Sequence, residues 1–99
     1  MVKITKAVAA KWSGDVPQEK QFCCLDGRLL KNLPELEVAL REMSEETFRH
    51  HSNEAKNDFS SWVRDVIGDE KLSRDLRKAT SQGQTAKVVN GRIAWLRRK

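Results

Sequence analysis

The sequence lacks the features that define several protein classes. It holds only two cysteines, Cys23 and Cys24, and these are adjacent in the chain. Neighbouring side chains on a strand point to opposite faces, so a disulfide between them would be strained. We therefore expect one buried thiol and one near the surface, with neither a disulfide framework nor a Cys-x-x-Cys redox motif.

Long apolar runs are also missing. No stretch approaches the ~20 residues that a membrane-spanning helix needs, so the sequence predicts no membrane association. Lys3 and Lys6 interrupt the apolar residues of the first ten positions, which therefore do not resemble a secretory signal peptide, and the cytoplasm is the expected compartment. The GxSxG, HExxH and GxxxxGK[ST] motifs are absent as well, and we predict a non-enzymatic protein without a cofactor.

What is present fits one small globular domain. The chain has 99 residues, of which 38% are hydrophobic and 33% are charged. These proportions allow a modest core under a strongly solvated surface.

The charge is unevenly distributed along the chain. Residues 1–14 carry three lysines and no acid, and residues 15–70 carry seven basic and thirteen acidic side chains. Residues 71–99 carry nine basic side chains against one acid, which completes the net charge of +5. Basic ends around an acidic middle are typical of proteins that bind nucleic acid or ribonucleoprotein. The alternative is that the two ends fold back over the acidic middle.

The N-terminal part divides into an arm and a hairpin. Residues 1–21 contain Gly14 and Pro17 without sustained periodicity, which predicts a basic arm that is extended or irregular. Trp12 is costly to leave in water, so the arm is expected to dock. Two short apolar runs meet at Asp26-Gly27, and this dipeptide predicts a small β-hairpin with positive φ at both positions.

Residues 22–99 are expected to form a single helical domain that ends in a basic C-terminal helix. The residues placed to cap its helices are Asn32, Ser44, Asn57 and Asp69. The second helix is expected to end near Lys56, and Gly68 to end the third. The apolar spacing predicts a core made of Leu33, Leu36, Leu40, Met43, Phe48, Phe59, Trp62, Val63, Val66, Ile67, Leu72 and Leu76.

The last segment is ambiguous on pattern alone. Val88-Val89-Asn90-Gly91-Arg92-Ile93 is typical of a hairpin, whereas Val89, Ile93 and Leu96 also fit a helical stripe. For residues 84–98, the residues by themselves favour neither the hairpin nor the helix.

A family resemblance bears on this choice. The motifs that carry the resemblance are, in order, Phe22…Asp26-Gly27, Leu33-Pro34-Glu35-Leu36, Phe48-x-x-His51, Asn57-Asp58-Phe59-x-x-Trp62-Val63 and Gly68-Asp69…Leu72. With these motifs the chain resembles a family of small, mainly helical, uncharacterised domains of bacteria and archaea. The resemblance spans roughly residues 22–80, and it implies a helical C-terminus. It implies no activity, cofactor or partner. The expected fold is therefore mainly α: a compact bundle of four or five short helices with a small N-terminal β-hairpin.

Two polar groups invite a chemical role. His50, Glu54 and Asp58 recur every four residues, but a helix break near Asn57 would spoil a metal site, and we predict none. His51 is expected to be partly buried with a hydrogen-bond partner, and His50 to face solvent. Asn57-Asp58 is interpreted first as a helix cap, and alternatively as one half of a carboxylate–histidine pair with His51.

The basic ends give the leading functional hypothesis. Cations beside an aromatic ring suit nucleic acid, because the cations meet phosphates and the ring can stack on a base. The candidate residues are Lys3, Lys6, Lys11, Trp12, Arg92, Arg97, Arg98 and Lys99. The partner would be RNA, DNA or a ribonucleoprotein such as the ribosome. A protein-interaction adaptor is the alternative, a metal- or thiol-dependent role is a remote one, and the sequence does not indicate an oligomeric state.

Overall fold

The computed structural model describes residues 4–99 and shows a mainly α-helical fold with a small hairpin, as predicted. The helices of this part of the chain are α1 (Lys6–Ser13), α2 (Leu33–Glu42), α3 (Glu45–His51), α4 (Asp58–Trp62), α5 (Glu70–Lys78) and α6 (Gln82–Arg97). The antiparallel strands are β1 (Phe22–Cys23) and β2 (Leu29–Leu30). One more helix is present than the four or five expected, because α1 forms within the predicted arm.

Side-chain caps fix where the helices begin. A hydroxyl, amide or carboxylate oxygen accepts a backbone N–H of the first turn in each case, which satisfies a donor that the helix itself cannot. The capping residues are Thr5, Asn32, Ser44, Asn57, Asp69 and Ser81. Four of these caps were predicted from the sequence, and those of α1 and α6 were not.

The prediction that the N-terminal segment is extended or irregular is wrong over α1. This helix is short, and its stability comes from tertiary contacts: Ala9 is buried, and Trp12 packs on the core as expected for a docked arm. The residues after α1 do follow an irregular path, with a short 3₁₀ turn at Gln18–Lys20. The N–H of Val16 donates to the carbonyl of Lys31 at 2.8 Å, which ties this stretch to the end of β2.

The hairpin is confirmed, but its turn differs from the predicted one. Gly27 has φ of +96°, whereas Asp26 stays at negative φ. The Gly27 N–H donates to the Cys24 carbonyl, and the Asp26 carboxylate accepts the Arg28 N–H. The loop is thus longer than a two-residue turn and needs only one residue in the left-handed region.

Helix α3 is shorter than predicted. Helix α3 ends at His51 and not near Lys56, because the Asn53 amide donates to the Arg49 carbonyl and closes the helix. Helix α4 continues as a π-helical turn, Val63–Ile67, in which the Gly68 N–H donates to the Val63 carbonyl five residues earlier. The wider turn leaves Val66 only partly buried, while the other predicted core residues are buried.

The C-terminal segment is a single helix, which resolves the ambiguity of the sequence. Asn90 and Gly91 lie exposed on the outer side of α6, so the dipeptide does not interrupt it. The inner side of α6 packs against α2, α5 and α1. The core also contains residues outside the predicted list, which come from α1, the hairpin, α2 and α6: Ala9, Phe22, Cys24, Leu30, Ala39, Ala86, Val89, Ile93 and Leu96.

Candidate nucleic-acid interface

The two basic ends of the chain lie on helices that pack against each other, α1 and α6. The exposed cations of these ends are Lys6, Lys11, Arg97, Arg98 and Lys99. None of the five forms an ion pair within residues 4–99. Lys3, which the sequence placed in the same group, lies outside the described residues.

The charge asymmetry of the sequence persists along α6. The side-chain amide of Gln82 donates to the carbonyls of Leu40 and Met43, both at 2.8 Å, which places the start of α6 beside the junction of α2 and α3. Glu45 and Glu46 are exposed just after that junction. A helix of 16 residues is about 24 Å long, so the cations after Leu96 lie far from these acids.

Arg92 has a different role from the exposed cations. Its guanidinium binds Asp69 in a bidentate manner, with Nε 2.7 Å from Oδ2 and Nη2 3.0 Å from Oδ1. The Asp69 side chain is fully buried, and that of Arg92 is only 10% exposed. The same carboxylate caps α5 by accepting the Leu72 N–H. Arg92 therefore fastens α5 to α6, and its charge is already neutralised.

Trp12 and Trp95, the two tryptophans at this surface, contact cations of the protein itself. The Arg92 guanidinium lies 4.2 Å from the centre of the Trp95 ring and 5.7 Å from that of Trp12. The Lys99 ammonium lies 4.2 Å from the Trp95 ring. Both rings are half-buried and pack on the core. Such cation–π contacts stabilise the junction of α1 and α6, and they compete with any base that would stack there.

Further exposed cations that are not among the candidate residues lie on α5 and α6. Arg74, Arg77 and Lys78 on α5 and Lys87 on α6 are exposed. The two helices are antiparallel, since Asp69 at the start of α5 contacts Arg92 near the end of α6. Arg77 and Lys78, at the end of α5, therefore lie toward the start of α6 and away from the terminal cations. The excess of basic residues after position 70 is the sequence signal that identifies them.

His51 and Asp58 form the carboxylate–histidine pair that was the alternative interpretation of this motif. His51 is buried, and its Nδ1 lies 3.0 Å from Oδ2 of Asp58. Its Nε2 accepts the N–H of Leu25 at 3.0 Å, so the proton of the neutral ring is on Nδ1 and is donated to Asp58. Both ring nitrogens are thus used to hold the hairpin against α4. His50 is exposed, as expected.

Lys56 completes the surroundings of Asp58, donating from Nζ to Oδ2 at 2.9 Å. Partial burial favours a higher pKa for the Asp58 carboxyl. The hydrogen bonds from Lys56 and His51, together with the positive charge of Lys56, outweigh it and hold the pKa of Asp58 below its ordinary value. Asn57, the cap of α4, accepts the Ser60 N–H, and its amide also donates to the Leu76 carbonyl, so this cap also links α4 to α5.

The two thiols lie as the strand alternation predicted, Cys23 exposed and Cys24 buried. Burial, reinforced by the charge of Asp26, raises the pKa of Cys24 to about 11, which keeps this thiol protonated and unreactive at neutral pH. Residues 4–99 contain no group of three or more His, Cys, Asp or Glu side chains placed to hold a metal ion.

An open groove of about 850 Å³ separates α3 from the turn between α5 and α6. Its polar lining includes Arg49, Lys56 and Arg77 but also Glu45 and Glu54. Arg49 is paired with Glu45 at 2.9 Å, and Lys56 with Asp58. Because these charges largely cancel one another, the groove presents no concentrated charge to a ligand.

Comparisons with protein families, with functionally described proteins and with solved structures found no match to this chain. The family resemblance of residues 22–80 therefore stays a prediction. Over residues 4–99, none of the helices combines the length and the apolar character required to cross a bilayer.

Proposed function

We propose that this protein is a cytoplasmic, non-enzymatic accessory protein that binds nucleic acid or a ribonucleoprotein particle through its basic ends. The observation that carries the proposal is the packing of α1 on α6, with five exposed cations on or beside these helices that form no ion pair within the described chain: Lys6, Lys11, Arg97, Arg98 and Lys99. Cations that no carboxylate neutralises are available to phosphate groups, and binding then releases the counterions that phosphates hold.

We assign two roles to the candidate residues. Lys6, Lys11, Arg97, Arg98 and Lys99 would contact phosphates, and Lys3 is assigned to the same role from its charge and its position in the sequence. Arg92 and Trp12 instead hold α6, α5 and α1 together, and they support the surface without meeting the ligand. Binding would therefore depend on the nucleic-acid backbone more than on base identity.

Salt dependence of binding tests the proposal directly. Affinity for duplex and single-stranded RNA and DNA should fall steeply as salt rises, as counterion release requires. In the variants Lys6→Gln/Lys11→Gln and Arg97→Gln/Arg98→Gln/Lys99→Gln, affinity should drop and the log–log salt slope should shrink by about one for each phosphate contact removed. Fluorescence anisotropy at several salt concentrations measures both.

The matched control removes three cations from the acidic middle, Lys31→Gln/Arg41→Gln/Arg49→Gln. These side chains are exposed, and Arg41 and Arg49 are paired with acids of their own helices, so the variant should fold and should keep the wild-type slope. An equal loss in this control and in the terminal variants would mean that only net charge matters, and the proposal would fail.

A protein-interaction adaptor is the second candidate function, favoured by three large apolar side chains that are exposed: Leu25, Leu29 and Val38. Purification of the tagged protein with and without nuclease separates the two functions. Co-purifying proteins that nuclease removes support nucleic-acid binding. One protein that survives nuclease treatment at fixed stoichiometry supports the adaptor.

A further inference from the structure

The outer face of the hairpin is apolar, although it is exposed. Side chains alternate between the two faces of a strand, so Phe22, Cys24 and Leu30 point into the core and are buried. Cys23 and Leu29 form a directly opposed cross-strand pair on the other face. Both are exposed, and Leu29 is 59% exposed. An alternating strand normally carries polar residues on the solvent side, so this face is exceptional.

The apolar surface continues from the hairpin onto α2. Leu29 lines a shallow depression of about 540 Å³ together with Pro34 and Val38, and Val38 is 40% exposed. Leu25, in the hairpin loop, is 54% exposed. We call this surface the hairpin face; it consists of Cys23, Leu25, Leu29, Pro34 and Val38. Clustered exposed apolar side chains mark a contact surface, whereas isolated ones do not.

The rim of the hairpin face carries charges of both signs. The Arg28 guanidinium lies 2.9 Å from Glu42 and 3.5 Å from Asp26. Lys31 lies 3.9 Å from Asp15. A uniformly charged partner such as a nucleic acid would be repelled by half of this rim. A second copy of the face carries the same cations and acids, so each charge of one rim has charges of the opposite sign available on the other rim.

We propose that the hairpin face binds a second copy of this chain in a two-fold symmetric dimer. In such an isologous contact the same residues serve both copies, so the apolar centre meets itself and each Arg28 lies near the acids of the other rim. The face comprises five residues, whereas each side of a standard interface comprises about 20–30. The dimer is therefore weak and concentration-dependent. It shares no residue with the basic surface, so it stands or falls independently of nucleic-acid binding.

Sedimentation velocity across a concentration series tests the dimer. The wild-type protein should shift from monomer to dimer, without larger species, as concentration rises through the micromolar range and above. Leu29→Asp should stay monomeric, since it places a charge at the apolar centre. The control Ala55→Asp adds the same charge at an exposed loop position away from the face and should dimerise like the wild type. Far-UV circular dichroism verifies that each variant is folded.

Charge reversal tests the rim. Arg28→Glu should weaken the dimer, and the double variant Arg28→Glu/Glu42→Arg should restore it, because the double variant regains one charge of each sign.

Cys23 offers a second readout, since it is the exposed thiol of the face. A short bis-maleimide should link two copies through Cys23 in the wild type, and this yield should fall in Leu29→Asp and vanish in Cys23→Ser. A wild-type protein that remains monomeric up to its solubility limit would overturn the proposal. A Leu29→Asp variant that dimerises as strongly as the wild type would overturn it too.

Discussion

At the scale of single residues, the polar groups that drew attention in the sequence serve mainly to join elements. Asp69 caps α5 and binds Arg92, Asn57 caps α4 and reaches α5, and His51 connects the hairpin to Asp58. Local pattern predicted the caps at Asp69 and Asn57. It could not pair Asp69 with Arg92, because 23 residues separate them and no local pattern links them.

Removal of Arg92 should be strongly destabilising. In Arg92→Met the buried Asp69 carboxylate loses its bidentate partner, and an uncompensated buried charge costs about 3–5 kcal/mol. Asp69→Asn keeps a capping oxygen but leaves the Arg92 guanidinium without its charged partner. The double variant Asp69→Asn/Arg92→Met should recover part of the lost free energy of unfolding. Urea unfolding of the four proteins gives the coupling energy. A loss below about 1 kcal/mol in Arg92→Met would contradict this account of the pair.

The lowered pKa of Asp58 gives stability a defined pH dependence. A carboxyl whose pKa is lower in the folded than in the unfolded state stabilises the fold above its unfolded pKa, ordinarily 3.8, and this contribution is lost as pH falls through the folded pKa. The free energy of unfolding of the wild type should therefore exceed that of Asp58→Asn at about pH 6, and the difference should shrink below about pH 4. Urea unfolding at each pH measures it. A difference that stays constant from about pH 6 to about pH 3 would show that the carboxylate charge is not responsible.

At the scale of elements, the sequence predicted best where local pattern and packing agree. Helix α2 and the start of α4 have a cap and a clear apolar stripe, and both begin where expected. Helix α1 was missed because Trp12 finds its contacts at Gly68 and Arg92, far along the chain. The exposed cations of the candidate site followed from charge counting alone. The burial of Arg92 did not, because it depends on how α5 and α6 pack.

Two glycines provide an element-scale test with opposite signs. Gly68 ends the π turn at φ +96°, and a Cβ there would lie 3.4 Å from Nε1 of Trp12. Gly68→Ala should therefore lower the free energy of unfolding by about 1–2 kcal/mol. Gly91 is helical, exposed and has open space around it, so Gly91→Ala should raise stability by about 0.5–1 kcal/mol. Thermal unfolding monitored by circular dichroism compares them, and a stabilised Gly68→Ala would refute the requirement for a left-handed residue.

At the scale of the whole molecule, size determines how the charges act. The molecule measures 37 × 28 × 21 Å, whereas the electrostatic screening length at physiological salt is about 8 Å. The exposed acids after α2 therefore do not cancel the field of the cations at the far end of α6. A polyanion bound at the cations after Leu96 would therefore not be repelled strongly by these acids.

The packing of Trp12 on Gly68 and beside Arg92 has a thermodynamic consequence. Ala9 is the one buried residue of helix α1, and the helix contacts α6, α2 and the turn before α5. Helix α1 therefore behaves as a tethered ligand of the rest of the domain. The fraction of molecules in which α1 is docked depends on the effective concentration that the connecting residues impose, and not on the concentration of the protein. Dilution therefore leaves α1 docked. Any weakening of the Trp12 packing increases the fraction of molecules in which α1 is undocked and the basic N-terminal end is free.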